Sequence, residues 1–95
     1  MKAELLIRER LALNTDAFVE VSIWEVPKPV PGCMHRYKYR LAYVVKGVCL
    51  LRYDNETGKG DHKHVGKREV VYQFSTIATL QSDFWADVRA RESRP

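Results

Sequence analysis

The stretch from Arg36 to Tyr53 alternates between two kinds of side chain more regularly than the rest of the chain, and it is interrupted once, at Lys46-Gly47. A period of two is typical of a β-strand, and glycine at the second central position of a two-residue turn supplies the positive φ of a tight hairpin. The pattern therefore predicts an antiparallel hairpin in which Val45 pairs with Val48. Counting from that pair sets Tyr43 opposite Leu50, Leu41 opposite Arg52, Arg40 opposite Tyr53 and Tyr39 opposite Asp54.

Strand-like sequence lies on both sides of this hairpin. Residues 5–13 alternate in hydrophobicity, which favours a strand, although Ala3, Ile7 and Leu11 also fit the four-residue spacing of a helix. Residues 18–26 are rich in β-branched and aromatic side chains and follow a turn-like segment, so the two runs predict a second antiparallel pair. Residues 68–74 resume the strand pattern. Because consecutive strands usually pair, we expect this fifth strand beside the strand that contains Val48 and Tyr53.

The last part of the chain changes its period. Ser75 or Thr76 can cap a helix, and the apolar residues that follow recur at three- and four-residue spacing: Ile77, Leu80, Phe84 and Val88. This spacing predicts an amphipathic helix over residues 76–91, whose apolar face covers one side of the sheet.

The composition fits one small domain. The chain has 95 residues, of which 45% are hydrophobic and 29% charged, so a single domain over residues 1–95 is expected. The proline-rich residues 27–35 predict a stiff connection between the two hairpins. The expected fold is α+β: a five-stranded, mainly antiparallel sheet, made of two hairpins plus a fifth strand, with one C-terminal helix packed on one face. The other face, with arginines and some tyrosines, is expected to be solvated or to serve as a docking surface.

Nothing in the sequence marks the chain for export or for a membrane. It has no apolar run long enough to span a bilayer and no basic-then-apolar leader. Cys33 and Cys49 are too few and too far apart to indicate a metal quartet, and Cys49 lies in an apolar run where a buried thiol acts as a small hydrophobe. We therefore expect a cytoplasmic protein without a structural disulfide.

Positive charge is concentrated in the middle of the chain. Residues 26–53 carry six basic and no acidic side chains, within a net charge of +4 for the whole sequence. Such a field attracts phosphate backbones or an acidic protein partner. Basic residues are also ordinary on exposed strands, so a solvated sheet face remains the alternative.

The segment from Arg52 to His64 concentrates histidine, aspartate, glycine and basic side chains. Ionised and polar groups are costly to bury without partners, so residues 54–64 are predicted to form an exposed polar loop. Gly58 and Gly60 would let backbone amides approach an anion there. Loops held by a rigid sheet often carry binding and catalytic groups, which makes this loop the candidate functional segment.

Four segments carry a family resemblance that covers nearly the whole chain. They are Trp24-Glu-Val-Pro-Lys-Pro-Val-Pro-Gly32, the Arg-Tyr-Lys-Tyr-Arg-Leu-Ala-Tyr hairpin, the span from Arg-Tyr-Asp-Asn to His-Lys-His, and Phe84-Trp-Ala-Asp-Val88. Together they resemble the TumE family of small bacterial proteins, described as the toxin of a type II toxin–antitoxin pair encoded beside a helix-turn-helix antitoxin. The resemblance implies a cytoplasmic toxin that a protein partner neutralises. It carries over no active-site assignment, so the site residues below follow from their chemistry.

Many toxins of this general kind act on RNA. Cleaving RNA needs a base for the 2′-hydroxyl, an acid for the leaving oxygen and cations for the phosphate. His62 and His64 are candidates for base and acid because imidazole titrates near neutral pH, and Asp54 or Asp61 can orient a ring. The predicted RNA-binding residues are Lys59, Lys63, Arg52 and Arg40 for phosphate, and Tyr39 and Tyr53 for stacking on bases.

Metal binding is the competing hypothesis for the same segment. His62, His64 and either Asp61 or Asp54 would make a set of nitrogen and oxygen ligands. Two histidines without a third histidine or cysteine at ligand spacing hold zinc poorly, so no metal or other cofactor is expected. His35, isolated after the proline segment, is expected to be a turn residue.

A non-enzymatic binding module is the second functional hypothesis. Under it, the basic sheet face docks to a nucleic acid or a protein and the polar loop merely recognises the target. Charge reversal at Arg36, Lys38 and Arg40 would then be the damaging change, and the histidines would be dispensable.

Overall fold

The computed structural model describes residues 2–92. Its elements in chain order are β1 (Glu4–Ala12), β2 (Ala17–Glu25), β3 (Tyr37–Val45), β4 (Val48–Asp54), β5 (His62–Val65), β6 (Arg68–Val71) and α1 (Ile77–Glu92). Met1 and residues 93–95, which the predicted domain includes, lie outside the described residues.

The strands form one sheet in the order β1-β2-β3-β4-β5-β6, and every neighbouring pair is antiparallel. The predicted α+β fold is therefore confirmed, with six strands rather than five. The additional strand is β5, which contains His62 and His64, so the prediction that residues 54–64 form one exposed loop is wrong at both ends. The loop spans residues 55–61, between β4 and β5.

The position predicted for the last strand is also wrong. β6 pairs with β5 rather than with β4, because Gly66 at φ 62° turns the chain directly after Val65 and sets Arg68 opposite it. The polar composition of His62-Lys-His-Val65 hid a short alternation, since its side chains point to opposite sides of the sheet in turn.

The central hairpin forms as predicted at its turn and shifts beyond it. Lys46 and Gly47 both have positive φ, and Val45 pairs with Val48. An irregularity next to Val44 then moves the register by one residue. The observed pairs are Tyr43 with Leu51, Ala42 with Arg52, Leu41 with Tyr53 and Arg40 with Asp54, which corrects the predicted set.

The cause of this shift is hydrophobic. In the predicted register, Leu41 would share a face with Arg52, and a charged group would enter the core. The bulge instead sets Leu41 beside Tyr53, and both residues are buried. It also brings Arg52 and Asp54 to the opposite face of β4.

One face of the sheet packs against α1. Leu80, Phe84 and Val88 are fully buried on the helix, as the spacing predicted, and the Thr79 backbone N–H donates to Thr76 Oγ1 at 3.0 Å, which makes Thr76 the N-cap. The sheet residues of this core are Ala17, Val19, Val21, Ile23, Tyr39, Leu41, Tyr43, Leu51 and Tyr53. The tyrosines of β3 and β4 thus lie on the face of the sheet that packs against α1, so the expectation that some tyrosines occupy the other face is wrong.

The loop between β4 and β5 is held by the proline-rich connection. Gly58 N–H donates to the Pro31 carbonyl at 2.8 Å. A Cβ at Gly60 would lie 2.9 Å from the Gly32 carbonyl oxygen, so the two backbones meet without room for side chains. Gly32 and Gly60 therefore serve close packing between the two segments. The Gly58 amide is occupied by the Pro31 carbonyl, so the expectation that it would be available to an anion is wrong.

Cys33 and Cys49 are not bonded to each other. Cys49 is exposed, contrary to the burial that its apolar neighbours suggested. Within residues 2–92, no helix has the length and apolar character needed to cross a bilayer.

Candidate functional site

The side of the sheet away from α1, here called the open face, carries a row of polar side chains across neighbouring strands. In this row Arg8 lies opposite Ser22, Ser22 opposite Arg40, Arg40 opposite Asp54, and Asp54 opposite His62. The next row continues from Arg10 through Glu20, Ala42, Arg52 and His64 to Glu69. Directly opposite residues share a face, so the register alone brings these side chains together.

Asp54 is the centre of a charged cluster on this face. Its Oδ1 lies 2.6 Å from His62 Nε2, and its Oδ2 lies 2.9 Å from Arg52 Nε. Both distances are those of ion pairs, but Asp54 Oδ1, His62 Nε2 and Arg52 Nε lack the angles of a hydrogen bond. The contacts are therefore electrostatic, and the hydrogen-bonding capacity of the three atoms is not satisfied by these contacts.

His62 is almost completely buried, with 3% of its surface exposed. Its Nδ1 lies 3.0 Å from the Gly60 carbonyl oxygen, so Nδ1 carries a proton and donates it. In the neutral ring, Nε2 then holds the lone pair that faces Asp54. Both ring nitrogens face protein atoms, which leaves neither of them free to reach a substrate directly.

His64 is the more accessible of the two histidines, with a quarter of its side chain exposed. Its ring meets that of His62 edge-on, with 5.0 Å between the centroids. His64 Nε2 lies 3.7 Å from Glu69 Oε2 and, like the three atoms around Asp54, is shielded from solvent without a hydrogen bond. The structure thus brings the two predicted imidazoles together on one face, with His62 buried rather than solvent-facing.

A cleft of about 290 Å³ borders the cluster on its Arg40 side. Arg40 is exposed and makes no ion pair within residues 2–92, while Arg52 is held by Asp54. The cleft is lined by Lys38, Tyr39, Arg40, Arg52, Asp54, Asn55 and Glu56. Three cationic side chains around one opening make it suited to a phosphate group.

Sequence reasoning missed an aromatic residue of the open face. Trp24 pairs with Lys38 and lines a cleft of about 440 Å³ together with Ser22, Lys38 and Arg40. The Arg8 guanidinium lies over its ring, 5.5 Å from the centroid. The alternation of β2 carried this signal, because Trp24 occupies the side of the strand opposite to Val21 and Ile23.

The tyrosines that were expected to stack on bases are buried. Tyr39 is 3% exposed and Tyr53 is 1% exposed, so neither presents a free ring face to solvent and the expectation of exposure is wrong. Burial, reinforced by a hydrogen bond from the Tyr39 hydroxyl to Asp61 at 2.6 Å, raises the pKa of Tyr39 above its ordinary range. The Tyr39 ring belongs to the core side of β3.

Lys63 and Tyr53 lie on the helix side of the sheet, away from His62 and His64. The Tyr53 hydroxyl donates to Asp87 of α1 at 2.5 Å, and Lys63 Nζ lies 3.0 Å from the same carboxylate. Burial and that hydrogen bond raise the pKa of Tyr53. These two residues therefore anchor the helix, and the alternation of β5 keeps Lys63 away from the open face.

Asp61 belongs to a second cluster, at the end of the loop. The Tyr37 N–H donates to His35 Nδ1 at 3.2 Å, so His35 Nε2 carries the proton that it donates to Asp61 at 2.8 Å. The His35 ring also stacks on Phe74, with 3.9 Å between the centroids. Burial, followed by the charge of Asp61, raises the pKa of the nearby Cys33 thiol. This cluster ties the proline-rich connection to the end of the sheet.

Lys59 stays in the loop and is exposed. Its Nζ lies 3.7 Å from Glu56 and 4.0 Å from Glu69, so its charge is partly compensated by two carboxylates. Of the ten site residues predicted from the sequence, the structure brings five together on the open face: Arg40, Arg52, Asp54, His62 and His64.

The fold and the site together define a small α+β protein whose titratable and cationic side chains converge on the open face of an antiparallel sheet. The family model described as Toxin TumE matches residues 2–92, so the chain belongs to the TumE toxin family. The resemblance seen in the sequence is thereby confirmed, and the family assigns a toxin role in a toxin–antitoxin system, which implies an antitoxin partner. Searches of curated proteins and of solved structures found no match.

Proposed function

We propose that this toxin acts by cleaving RNA on the open face, in the cluster of Arg52, Asp54, His62 and His64. The observation that supports the proposal is the juxtaposition of two imidazoles and a carboxylate with a cationic cleft that contains Arg40, which makes no ion pair with any of residues 2–92. A phosphodiester needs both a centre that handles protons and positive charge beside it.

The chemistry expected of such a site is transfer within the RNA itself. The 2′-oxygen loses its proton to the cluster and bonds to the adjacent phosphorus, and the bond from phosphorus to the 5′-oxygen breaks. That oxygen then takes up a proton, so the products are a cyclic phosphate and a free 5′-hydroxyl. Arg40 and Arg52 would hold the phosphate oxygens as negative charge develops on them.

The residues of the cluster have unequal roles in this proposal. His64 is the more exposed of the two histidines, with a quarter of its side chain accessible, and it is the one that we assign to act on the substrate. His62, buried against Asp54 and the Gly60 carbonyl, is a positioning residue that fixes the carboxylate and the second ring. Trp24 is the aromatic side chain of the open face on which a flanking base would stack.

The test is cleavage of a single-stranded RNA by the purified chain and by two variants. We expect His64→Ala to lower kcat/KM by about 100-fold or more, because the proton-handling centre is lost. Arg40→Ala is expected to raise KM, because it removes a phosphate contact. Lys28→Ala is the matched control, since it removes another exposed positive charge, from the proline-rich connection, and should leave cleavage unchanged.

Wild-type activity in both His64→Ala and Arg40→Ala would contradict the proposal. Circular dichroism of each variant shows whether it is folded, so that a loss of structure is not read as a loss of chemistry. A fall in Lys28→Ala equal to that in Arg40→Ala would mean that net charge, rather than the open face, determines the activity.

A second candidate function is RNA or protein binding without cleavage. The observation that favours it is the continuation of positive charge from Arg40 to Arg8 and Arg10, far from the histidines, with Trp24 between these strands. Charge reversal at Lys38 and Arg40 would then abolish function while His64→Ala keeps it. For the partner, we propose the helix-turn-helix antitoxin expected from the sequence, which a neighbouring reading frame of that class would support.

A further inference from the structure

Three possible metal-ligand atoms converge on the open face without a hydrogen bond to any of residues 2–92. Asp54, His62 and His64 each offer one ligand atom, and these atoms lie within 4.8 Å of one another. Asp54 Oδ1, His62 Nε2 and His64 Nε2 are each shielded from solvent and make no hydrogen bond to residues 2–92, and the same holds for Arg52 Nε, which lies 2.9 Å from Asp54 Oδ2. Buried polar atoms are almost always hydrogen-bonded, so three such atoms at one point require a common explanation.

The hydrogen bond from His62 Nδ1 to the Gly60 carbonyl makes the requirement specific. Because its Nδ1–H donates to Gly60, the neutral ring directs the lone pair of Nε2 at Asp54 Oδ1, only 2.6 Å away. A lone pair and a carboxylate oxygen at that distance repel each other unless a proton or a metal ion is bound with them.

A shared proton explains only part of the arrangement. It would join His62 to Asp54 and would leave His64 Nε2 as it is, 3.7 Å from Glu69 and without a hydrogen bond. One metal ion accounts for all three atoms together. Two imidazole nitrogens and one carboxylate oxygen are also a donor set that catalytic zinc sites use, with the fourth position left open.

We propose that Asp54, His62 and His64 bind a zinc ion. The contacts that orient such ligands are already present: the Gly60 carbonyl fixes the His62 ring, and Arg52 Nε lies on Asp54 Oδ2, which leaves Oδ1 for the ion. Donor atoms in a tetrahedral zinc site lie about 3.4 Å apart. His62 and Asp54 therefore need to separate by roughly 0.8 Å, a small side-chain adjustment.

The role of the ion rests on the proposed function, but its binding does not. When bound, zinc supplies a Lewis acid and a water of lowered pKa beside the phosphate site at Arg40. In that case the bound water would take the role of base, and His64 would act by holding the ion through Nε2 rather than directly on the substrate.

The experiment is a titration of the full chain, stripped of metal by a chelator, with Co²⁺ and then with Zn²⁺. We expect one equivalent of Co²⁺ to bind with visible absorption bands, no intense near-ultraviolet band from a thiolate, and displacement by zinc. His64→Ala and Asp54→Asn should lower the affinity by at least about 100-fold, because each removes one of three ligands. His35→Ala is the matched control, since it removes the remaining histidine of the chain and should keep the affinity.

Three results would overturn the inference: no saturable binding of either ion, unchanged affinity in both ligand variants, or a thiolate band that disappears in Cys33→Ser. The last would place the ion among Cys33, His35 and Asp61, whose ligand atoms also lie within 4.8 Å of one another. RNA cleavage measured on the same samples separates the two proposals. Zinc bound without any cleavage contradicts the proposed function alone, while cleavage by protein that binds no metal contradicts this inference alone.

Discussion

At the residue scale, Asn55 and His62 are buried at positions where the backbone supplies hydrogen-bond partners. Asn55 is 1% exposed, since its Oδ1 accepts from the Tyr39 N–H and its Nδ2 donates to the Tyr37 carbonyl. His62 is buried against the Gly60 carbonyl in the same way. The polar composition of their segment predicted that both residues would be exposed, because a sequence does not show which backbone groups will bind a side chain.

Gly60 offers a test of the contact that holds the loop. Gly60→Ala forces a side chain into positive φ and against the Gly32 carbonyl, so it should lose about 1–3 kcal/mol more stability than Gly58→Ala. Gly58 is the matched control, because its φ is also positive but nothing lies within 4 Å of an added Cβ. Urea unfolding gives both values, and equal losses would show that the close approach is unimportant.

At the element scale, α1 is attached to the sheet by hydroxyl–carboxylate pairs as well as by its apolar face. The Tyr53 hydroxyl donates a hydrogen bond to Asp87, which also accepts one from Lys63 Nζ, and the Tyr72 hydroxyl donates to Asp83 at 2.6 Å. Each pair places a buried or half-buried hydroxyl against a charged acceptor. The orientation of the helix on β4 and β5 therefore depends on specific polar contacts.

A double-mutant cycle tests this attachment. Asp87→Ala should lower the free energy of unfolding by about 1–3 kcal/mol, because the buried Tyr53 hydroxyl loses its strongest acceptor. The same substitution in a Tyr53→Phe background should lower it clearly less. Additive losses, measured by urea unfolding of the four proteins, would mean that the two side chains act independently.

The elements were predictable from the sequence where hydrophobic period and turn chemistry agree. The Lys46-Gly47 turn, the pairing of the first two strands and the Thr76 cap each follow from local signals. The bulge in β4 and the strand at His62 do not, because both depend on which face the core occupies. That choice is made by tertiary packing against α1.

The candidate site was predictable in part for the same reason. Alternation alone places Arg52 with Asp54, and His62 with His64, on one side of their strands. Bringing the two pairs together required the strand pairing of β4 with β5, which a loop assignment excluded. Trp24 was missed because its strand is rich in β-branched and aromatic residues, which suggested that the whole strand is buried.

At the scale of the whole molecule, the sheet separates two kinds of polar chemistry. The helix side holds tyrosine hydroxyls against Asp61, Asp83 and Asp87, and the open face holds His62 and His64 with Arg40 and Arg52. Stability and proposed function therefore depend on different faces and can be perturbed separately.

Alkaline pH should destabilise the molecule through the helix side. Burial first, and then hydrogen bonds to aspartates, raise the pKa values of Tyr39, Tyr53 and Tyr72 above the ordinary value of about 10. The folded chain keeps these protons at a pH where the unfolded chain has lost them, so stability is complete below about pH 10 and falls above it. Above that pH, each of these tyrosines lowers the free energy of unfolding by up to about 1.4 kcal/mol per pH unit.

Urea unfolding from about pH 8 to about pH 11 measures this fall. Tyr72→Phe should reduce the slope of the unfolding free energy against pH by the contribution of about one proton, since phenylalanine does not titrate. Constant stability across the range, or a slope that this substitution leaves unchanged, would contradict the assignment of these protons to the buried hydroxyls.

The central claim, that the open-face cluster is the working site of the toxin, is tested most directly by growth after induction in cells that lack the antitoxin. Wild-type chain and Lys67→Ala, an exposed substitution in the β5–β6 turn, should arrest growth, whereas His64→Ala at the same protein level should not. Growth arrest by His64→Ala equal to that of the wild type would contradict the account.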